Sequence, residues 1–387
     1  MAADEQVLRL LEEGVATRTF PGAAVAIGVG GETRMLRGVG RFTYAPEAAA
    51  VTERSVFDLA SLTKVVATTT AVMLLEEAGE LDLEAPVSRF VPEFSSLGKD
   101  KVTISHCLSH TSGLPAFREY EREGIRTRQG VIDAIMAEPL YSAPGRRFVY
   151  SDFGPIVLAV LIERLTAVPW ARWCAEHIFE PLGMADTGFR ATPPFVRRGE
   201  GDPDPSDPAV VPTEQDDVFR FRLVQGEVHD ERAWCLGGAA GHAGLFSSAA
   251  DLCRFASMLA DEGELPGSSR RFLRAETIRK YTAAVAPEQH SRALGWDTKS
   301  AAGYSSAGEA EDGFGPRSFG HTGFTGTCMW VDPDARLWYV LLTNRVHPSR
   351  VSSSSLRRSV GPRGGEQVGV AAVRSLLADM AAPTGRL

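Results

Sequence analysis

The segment Val56-Phe57-Asp58-Leu59-Ala60-Ser61-Leu62-Thr63-Lys64 runs from a short apolar stretch into an S-x-x-K tetrad. Val65, Val66, Val72, Met73, Leu74 and Leu75 follow it, and this pattern predicts a long apolar helix that opens at Ser61 and ends near Gly79. Residues three apart share a helix face, so Lys64 is expected one turn from the Ser61 hydroxyl. Desolvation lowers the pKa of a buried amine, and a neutral lysine can accept a serine proton. The N-H groups at the helix start favour negative charge beside Ser61. The same residues also describe a serine that merely caps a helix, and locally the two readings are even. A second S-x-x-K, Ser96-Leu97-Gly98-Lys99, lies in a stretch with turn character, where nothing holds the lysine over the serine. Lysine is scarce: Lys64, Lys99, Lys101, Lys280 and Lys299 are the only lysines among 41 basic residues.

Outward from this segment the hydrophobic period changes. Val7, Leu8, Leu11 and Val15 have helical spacing, whereas Ala23 to Val29 and Thr33 to Val39 read as strands joined by a turn at Gly30-Gly31. Residues 80–190 are mostly helical by pattern, with Ile156 to Leu165 the most apolar stretch. Residues 199–217 have the Pro/Asp composition of a loop, and 250–285 read as two helices. Cys328 to Val331, the turn Asp332-Pro333-Asp334 and Leu337 to Leu342 form a hairpin of buried strands. A Ser/Arg/Gly loop from Val351 to Arg363 precedes a final helix, Gln367 to Met380. Strands at both ends and helices between them predict an α/β fold: one antiparallel sheet from the N- and C-terminal segments, flanked by helices, plus a mostly α-helical lobe. Residues 1–80 and 235–387 would form the sheet lobe and 81–234 the helical one, with a site expected in the cleft between them.

The chain has 387 residues, 44% of them hydrophobic and 23% charged, as in ordinary globular proteins. Its formal charge of -8 argues against nucleic acid as the main partner. The acidic N-terminus and the lack of a long uncharged run predict neither a secretory signal nor a membrane span. Five scattered cysteines without a C-x-x-C pair fit a reducing cytoplasm and buried packing roles. G-x-S-x-G, P-loop, G-x-G-x-x-G and H-E-x-x-H patterns are all absent from the sequence, and His106 and His110 lack a nearby acidic co-ligand. Neither a metal nor a cofactor is expected.

Two further segments bear on Ser61. Phe148-Val149-Tyr150-Ser151-Asp152 places a phenol just before the most apolar helix, and Gly320-His321-Thr322-Gly323-Phe324-Thr325-Gly326-Thr327 opens a C-terminal strand whose edge can offer an N-H to an oxyanion. Each has an ordinary structural reading when taken alone. In this order, S-x-x-K, Tyr-Ser-Asp and His-Thr-Gly resemble the motifs of the serine β-lactamase/penicillin-binding-protein superfamily. The likeness is greatest to its class C β-lactamase-like group, which also includes DD-peptidases, carboxylesterases, D-aminopeptidases and transacylases. His110-Thr111-Ser112-Gly113-Leu114, Ile178 to Met184, Gly241 to Ser247 and Thr343 to Pro348 are similar to other segments of that group. The resemblance covers about residues 20 to 380.

The resemblance implies that Ser61 is the nucleophile of an acyl-enzyme and that Lys64 and Tyr150 share the general-base work. It also implies that the N-H groups of Ser61 and Phe324 form the oxyanion hole, with His321, Thr322 and Gly323 standing where K-T-G would stand. The substrate would be a small ester or amide; oligomeric state is left open. Two departures matter. His321 replaces a fixed positive charge with a ring that is mostly neutral near pH 7. Asp152, where Asn is common, puts a carboxylate beside Lys64 and favours its charged form. Both shift the expectation from a β-lactamase or DD-peptidase proper toward an esterase or small-amide hydrolase. They also motivate the rival of a catalytically silent ligand-binding module. Glu227-Val228-His229-Asp230 has two readings, a rim of the cleft and, preferred, a surface turn, and His242 is expected as a backbone-bonding residue of a tight loop.

Overall fold

A computed structural model describes residues 3–190, 209–265, 267, 269–286, 290–299, 307, 313–350, 373, 374 and 377. The four expected terminal strands join two that were not expected, Phe319–Thr322 and Asp297–Thr298, in one six-stranded sheet of order Glu32–Gly40, Gly22–Val29, Leu337–Thr343, Cys328–Asp332, Phe319–Thr322, Asp297–Thr298. Every neighbouring pair is antiparallel, and Ala23 of the N-terminal hairpin lies opposite Thr343. Side chains alternate between two covered faces. Ala24, Ala26, Met329, Val331, Trp338, Val340 and Leu342 face the larger core, which includes Leu252, Phe255 and Leu259 of the helix Ala249–Ala260. Val25, Ile27, Trp330, Tyr339 and Leu341 face the opposite way, against Val7, Leu10 and Leu11 of the helix Ala3–Ala16. Burial on both faces explains why these strands read as nearly continuous apolar runs. Gly28 is required where it stands: a Cβ there would lie 2.0 Å from the Trp338 ring.

The helix expected after Ser61 is present, but it is not one regular α-helix. A 3-10 turn, Ala60–Leu62, leads into wide π-helical turns, Lys64–Thr69, and only Thr70–Glu77 is α-helical. The threonine run competes for backbone acceptors. Thr70 Oγ1 donates to the Val65 carbonyl at 2.9 Å, and Thr68 Oγ1 donates to the Gly241 carbonyl at 2.6 Å. A pattern of apolar residues does not report such a change of hydrogen-bond pitch.

Between the sheet segments lie the helices Ile104–Leu108, Arg128–Ala137, Phe153–Thr166 and Trp170–Cys174. Phe153–Thr166 is buried from Phe153 through Ile162. Among the described residues no single helix is long and apolar enough to cross a membrane. The helices Ala249–Ala260 and Ala275–Thr282 match the two expected over 250–285. The first part of the expected loop, 199–208, the loop from Val351 to Arg363 and most of the final helix lie outside the described residues; 373, 374 and 377 are helical.

Asn344 ties the sheet to the segments around it. Its Nδ2 donates to the carbonyls of Phe42, at 2.8 Å, and Pro212, at 2.9 Å, and the residue is buried. Asn344→Ala strands two buried acceptors. Unfolding in urea is expected to show a loss of about 1–3 kcal/mol with an unchanged m-value.

Candidate active site

Asp58 builds the turn that presents Ser61. The short strand Phe57–Asp58 pairs with Leu245–Ser247. The Asp58 carboxylate accepts from the Ala60 N-H at 2.8 Å and from the His229 N-H at 2.7 Å. Ala60 then turns with φ of 46°, a left-handed conformation uncommon for alanine. Burial pushes the Asp58 carboxyl above the usual range, while the His229 and Ala60 N-H groups act against that rise.

The same strand is fastened to the turn after His321-Thr322. Thr325 Oγ1 donates to the Asp58 carbonyl at 2.7 Å, and Thr327 Oγ1 donates to the Leu59 carbonyl at 2.9 Å. The Gly323 N-H bonds to Thr327 O and the Gly326 N-H to Gly323 O, so these bonds close the turn without the Phe324 N-H. Gly323 permits this approach, because a Cβ there would lie 2.0 Å from Thr327 Oγ1 and 2.5 Å from Leu59 O. Gly323→Ala is expected to force this turn away from Leu59 and Thr327 at a cost of about 1–3 kcal/mol, read as a lowered urea midpoint.

Lys64 is 2% exposed and meets three oxygens. Its Nζ lies 2.8 Å from Ser61 Oγ, 3.2 Å from the His242 carbonyl and 2.9 Å from Asp152 Oδ1. Burial alone pushes its pKa down. Asp152, aided by Tyr150, reverses this and holds Lys64 above its ordinary value. Burial likewise pushes Asp152 up, but Lys64, His242 and Arg232 bring it below the usual carboxylate range. Asp152 Oδ2 also meets Arg232 at 2.8 Å, and Arg232 reaches Asp230 at 3.2 Å. The resting site therefore holds a charged lysine and an ionised aspartate.

Tyr150 stands over Lys64, whose Nζ is 5.1 Å from the ring centroid. His110 and His321 flank it, with ring centroids at 4.6 and 5.9 Å. Burial drives His110 down to about 3, with Arg292 and Lys64 adding to the fall, and its Nδ1 accepts from the Ser151 N-H at 3.1 Å. His321 is neutral for the same reasons: burial first, then Arg292 and Lys64. Its Nδ1 donates to the Thr322 carbonyl at 2.8 Å, so its buried Nε2 is an acceptor without a partner. Arg292, which the sequence reading did not single out, places its guanidinium 5.1 Å from the Tyr150 centroid. A neutral histidine thus occupies the third motif while an arginine from another segment supplies a cation nearby.

A cavity of about 350 Å³ opens over Ser61, Tyr150, Asp152 and Phe324. Phe117, Glu119, Glu121, Glu231 and Arg232 also line it, none of them singled out from sequence. The segment expected as a surface turn proves buried through His229, with Asp230 half-buried. Val228 is fully enclosed, and His229 and Asp230 form cavity wall. Two partners draw it inward: the His229 N-H reaches Asp58, and Asp230 Oδ1 contacts His242 Nε2 at 3.0 Å. Asp58 lies 171 residues from His229 and His242 lies 12 from Asp230, both beyond what local composition reports. His242 does more than bond backbone in its loop, since its carbonyl accepts from Lys64. The other S-x-x-K is not a second site: Lys99 Nζ donates to the Glu138 carbonyl at 2.6 Å, and Ser96 Oγ faces the Met136 carbonyl at 3.4 Å. No cluster of metal-binding side chains occurs among the described residues.

The sequence profile described as Beta-lactamase matches residues 7–361. The chain belongs to the beta-lactamase family. This family member is 31% identical over 323 residues to a putative D-alanyl-D-alanine carboxypeptidase of Salmonella agona, a match covering 76% of this chain and 71% of that one. Its fold is similar to that of EstCE1, a hydrolase with promiscuous acyltransferase activity (TM-score 0.68, 21% identity, 88% and 93% of the two chains). It is also similar to a mutant simvastatin synthase from Aspergillus terreus (TM-score 0.69, 19% identity, 98% and 96%). A further likeness is to the octameric penicillin-binding protein homologue from Pyrococcus abyssi (TM-score 0.63, 22% identity, 88% and 73%). These similar proteins are described as a putative carboxypeptidase, a hydrolase with acyltransferase activity, a synthase and a penicillin-binding protein homologue.

Proposed function

We propose that this beta-lactamase family protein is a serine hydrolase that cleaves esters or small amides through an acyl-enzyme on Ser61. The observation that carries the reading is the 2.8 Å contact between Ser61 Oγ and the buried Lys64 Nζ, at the foot of the cavity that Tyr150 and Phe324 border. Ser61 Oγ attacks the substrate carbonyl, and its proton passes to the Lys64–Tyr150 pair. The N-H groups of Ser61 and Phe324 receive the developing oxyanion. The proton then goes to the leaving alcohol or amine, and water resolves the ester on Ser61 with the same pair as base. Lys64 must shed its resting proton before it can accept another. The neutral His321 removes a fixed charge for a terminal carboxylate, which favours esters and amides without such a carboxylate over D-alanyl peptides.

A fluorophosphonate should add one phosphonyl group per chain, located at Ser61 by peptide mass analysis, and p-nitrophenyl esters should turn over repeatedly. Labelling elsewhere, or none, would overturn the reading. The Lys64–Asp152 ion pair favours one alternative, a module that binds ligand without turnover. Ligand binding in calorimetry without release of any ester or amide product would mark that outcome.

A further inference from the structure

We propose that the cavity beside Ser61 receives an ammonium group of the substrate, with Glu121 as its anchor. This deepens the acyl-enzyme reading and rests on it. The cavity wall carries the carboxylates of Glu119, Glu121, Asp152, Asp230 and Glu231 but only the cations of Arg232 and Arg350. Those cations are engaged. Arg232 contacts Asp152 and Asp230, and Arg350 contacts Glu231 at 2.7 Å and Glu214 at 2.6 Å. Lys64 is engaged by Asp152 as well. Glu119, at the exposed rim, meets Arg122 at 3.3 Å.

Glu121 is left. It is 7% exposed, and its Oε2 is buried without a hydrogen-bond partner. A buried polar atom without a partner is costly, and a carboxylate more so. Its surroundings raise that cost: burial pushes the Glu121 carboxyl up, its own backbone N-H and then Arg232 pull against that rise, and Glu231 and Asp230 press upward again. A cation placed among these carboxyls relieves the desolvation and the mutual repulsion together. Phe117 lines the same cavity and is 57% exposed, with the Arg232 guanidinium already 5.3 Å from its ring centroid, so the anchoring rests on Glu121 and its carboxylate neighbours. The ligand chemistry is a primary or substituted amine, protonated at neutral pH, carried on the ester or amide that Ser61 attacks.

The test compares kcat/KM for two pairs of substrates. One pair places the ammonium in the acyl group (alanyl against propionyl anilide), and the other in the alcohol (2-aminoethyl against propyl ester of one acid). The wild-type protein is expected to favour the ammonium member of at least one pair on the order of tenfold or more. Glu121→Gln should bring that ratio toward one, and Glu121→Asp should restore part of it, which a purely structural role would not do. A ratio near one for both pairs in the wild type, or a preference that survives Glu121→Gln, would overturn the proposal. If none of the substrates is turned over and Ser61 takes no label, the acyl-enzyme reading has failed. Calorimetry of Ser61→Ala protein with alaninamide against propionamide then decides the ammonium site alone. Binding of alaninamide that is lost in Ser61→Ala/Glu121→Gln supports it, and equal heats for both amides reject it.

Discussion

Ser61→Ala is expected to abolish phosphonyl labelling and to lower kcat for a p-nitrophenyl ester on the order of 10⁴–10⁶-fold. The residual rate would be what binding and the oxyanion N-H groups supply without a nucleophile. The fold should survive, since Ser61 Oγ has Lys64 as its contact and Lys64 keeps Asp152 and the His242 carbonyl. An unchanged urea midpoint therefore separates lost chemistry from lost structure. Turnover that persists at the wild-type level would show that another group attacks the substrate.

The second large effect concerns Asp152→Asn, which should act on stability and activity in opposite directions. In the folded protein Lys64 lies above its ordinary pKa and Asp152 below its own. A raised lysine stabilises the fold below its unfolded pKa of about 10.4, and that contribution fades as pH climbs through the folded value. A depressed aspartate stabilises the fold above its unfolded pKa of about 3.9, and that contribution fades as pH falls through the folded value. The pair is thus fully effective across the neutral range. Replacing Asp152 leaves Lys64 buried without its carboxylate, and breaking such a pair costs about 3–5 kcal/mol. Urea unfolding at pH 7 would measure it.

Activity should move the other way. With the carboxylate gone, burial dominates and the Lys64 pKa falls, so more of the lysine is free to take the Ser61 proton at neutral pH. The rising limb of the kcat/KM profile should shift to lower pH, with a gain on the order of tenfold at pH 7. Identical limbs in the two proteins would mean that Lys64 is not the titrating base.

What could be read from the chain follows from how local each determinant is. Ser61 and Lys64 are joined by one helical turn, so their spacing shows the contact, and the turn character around Ser96 correctly sets the other S-x-x-K apart. The terminal strands were legible because two-sided burial writes itself as apolar runs such as Leu337 to Leu342. Tyr150, Asp152 and His321 became interpretable through their order, which the family resemblance supplied. Glu121, Arg232 and Arg292 were not readable. Arg232 and Arg292 take their meaning from Asp152 and Tyr150 on distant segments, and Glu121 from a buried Oε2 without a partner, none of which a period or spacing marks. The burial of His229 beside a half-buried Asp230 has the same origin: a charged, turn-like segment is drawn inward by Asp58 and His242.

The pairing of Ala23 with Thr343 has a consequence for how the protein is made. The strand Gly22–Val29 leaves the ribosome long before one of its two neighbours, Leu337–Thr343. Until then that edge has no partner, and Thr325 and Thr327 are not available to fix the backbone before Ser61. Pairing across so long a separation is slow, because the intervening chain must be ordered before the contact stabilises anything. The nascent chain would therefore carry Ser61 and Lys64 long before it could acylate. Reactivity toward a serine probe would then report completion of the sheet, and a chain halted before Cys328 would stay unlabelled however much of its helical region had folded.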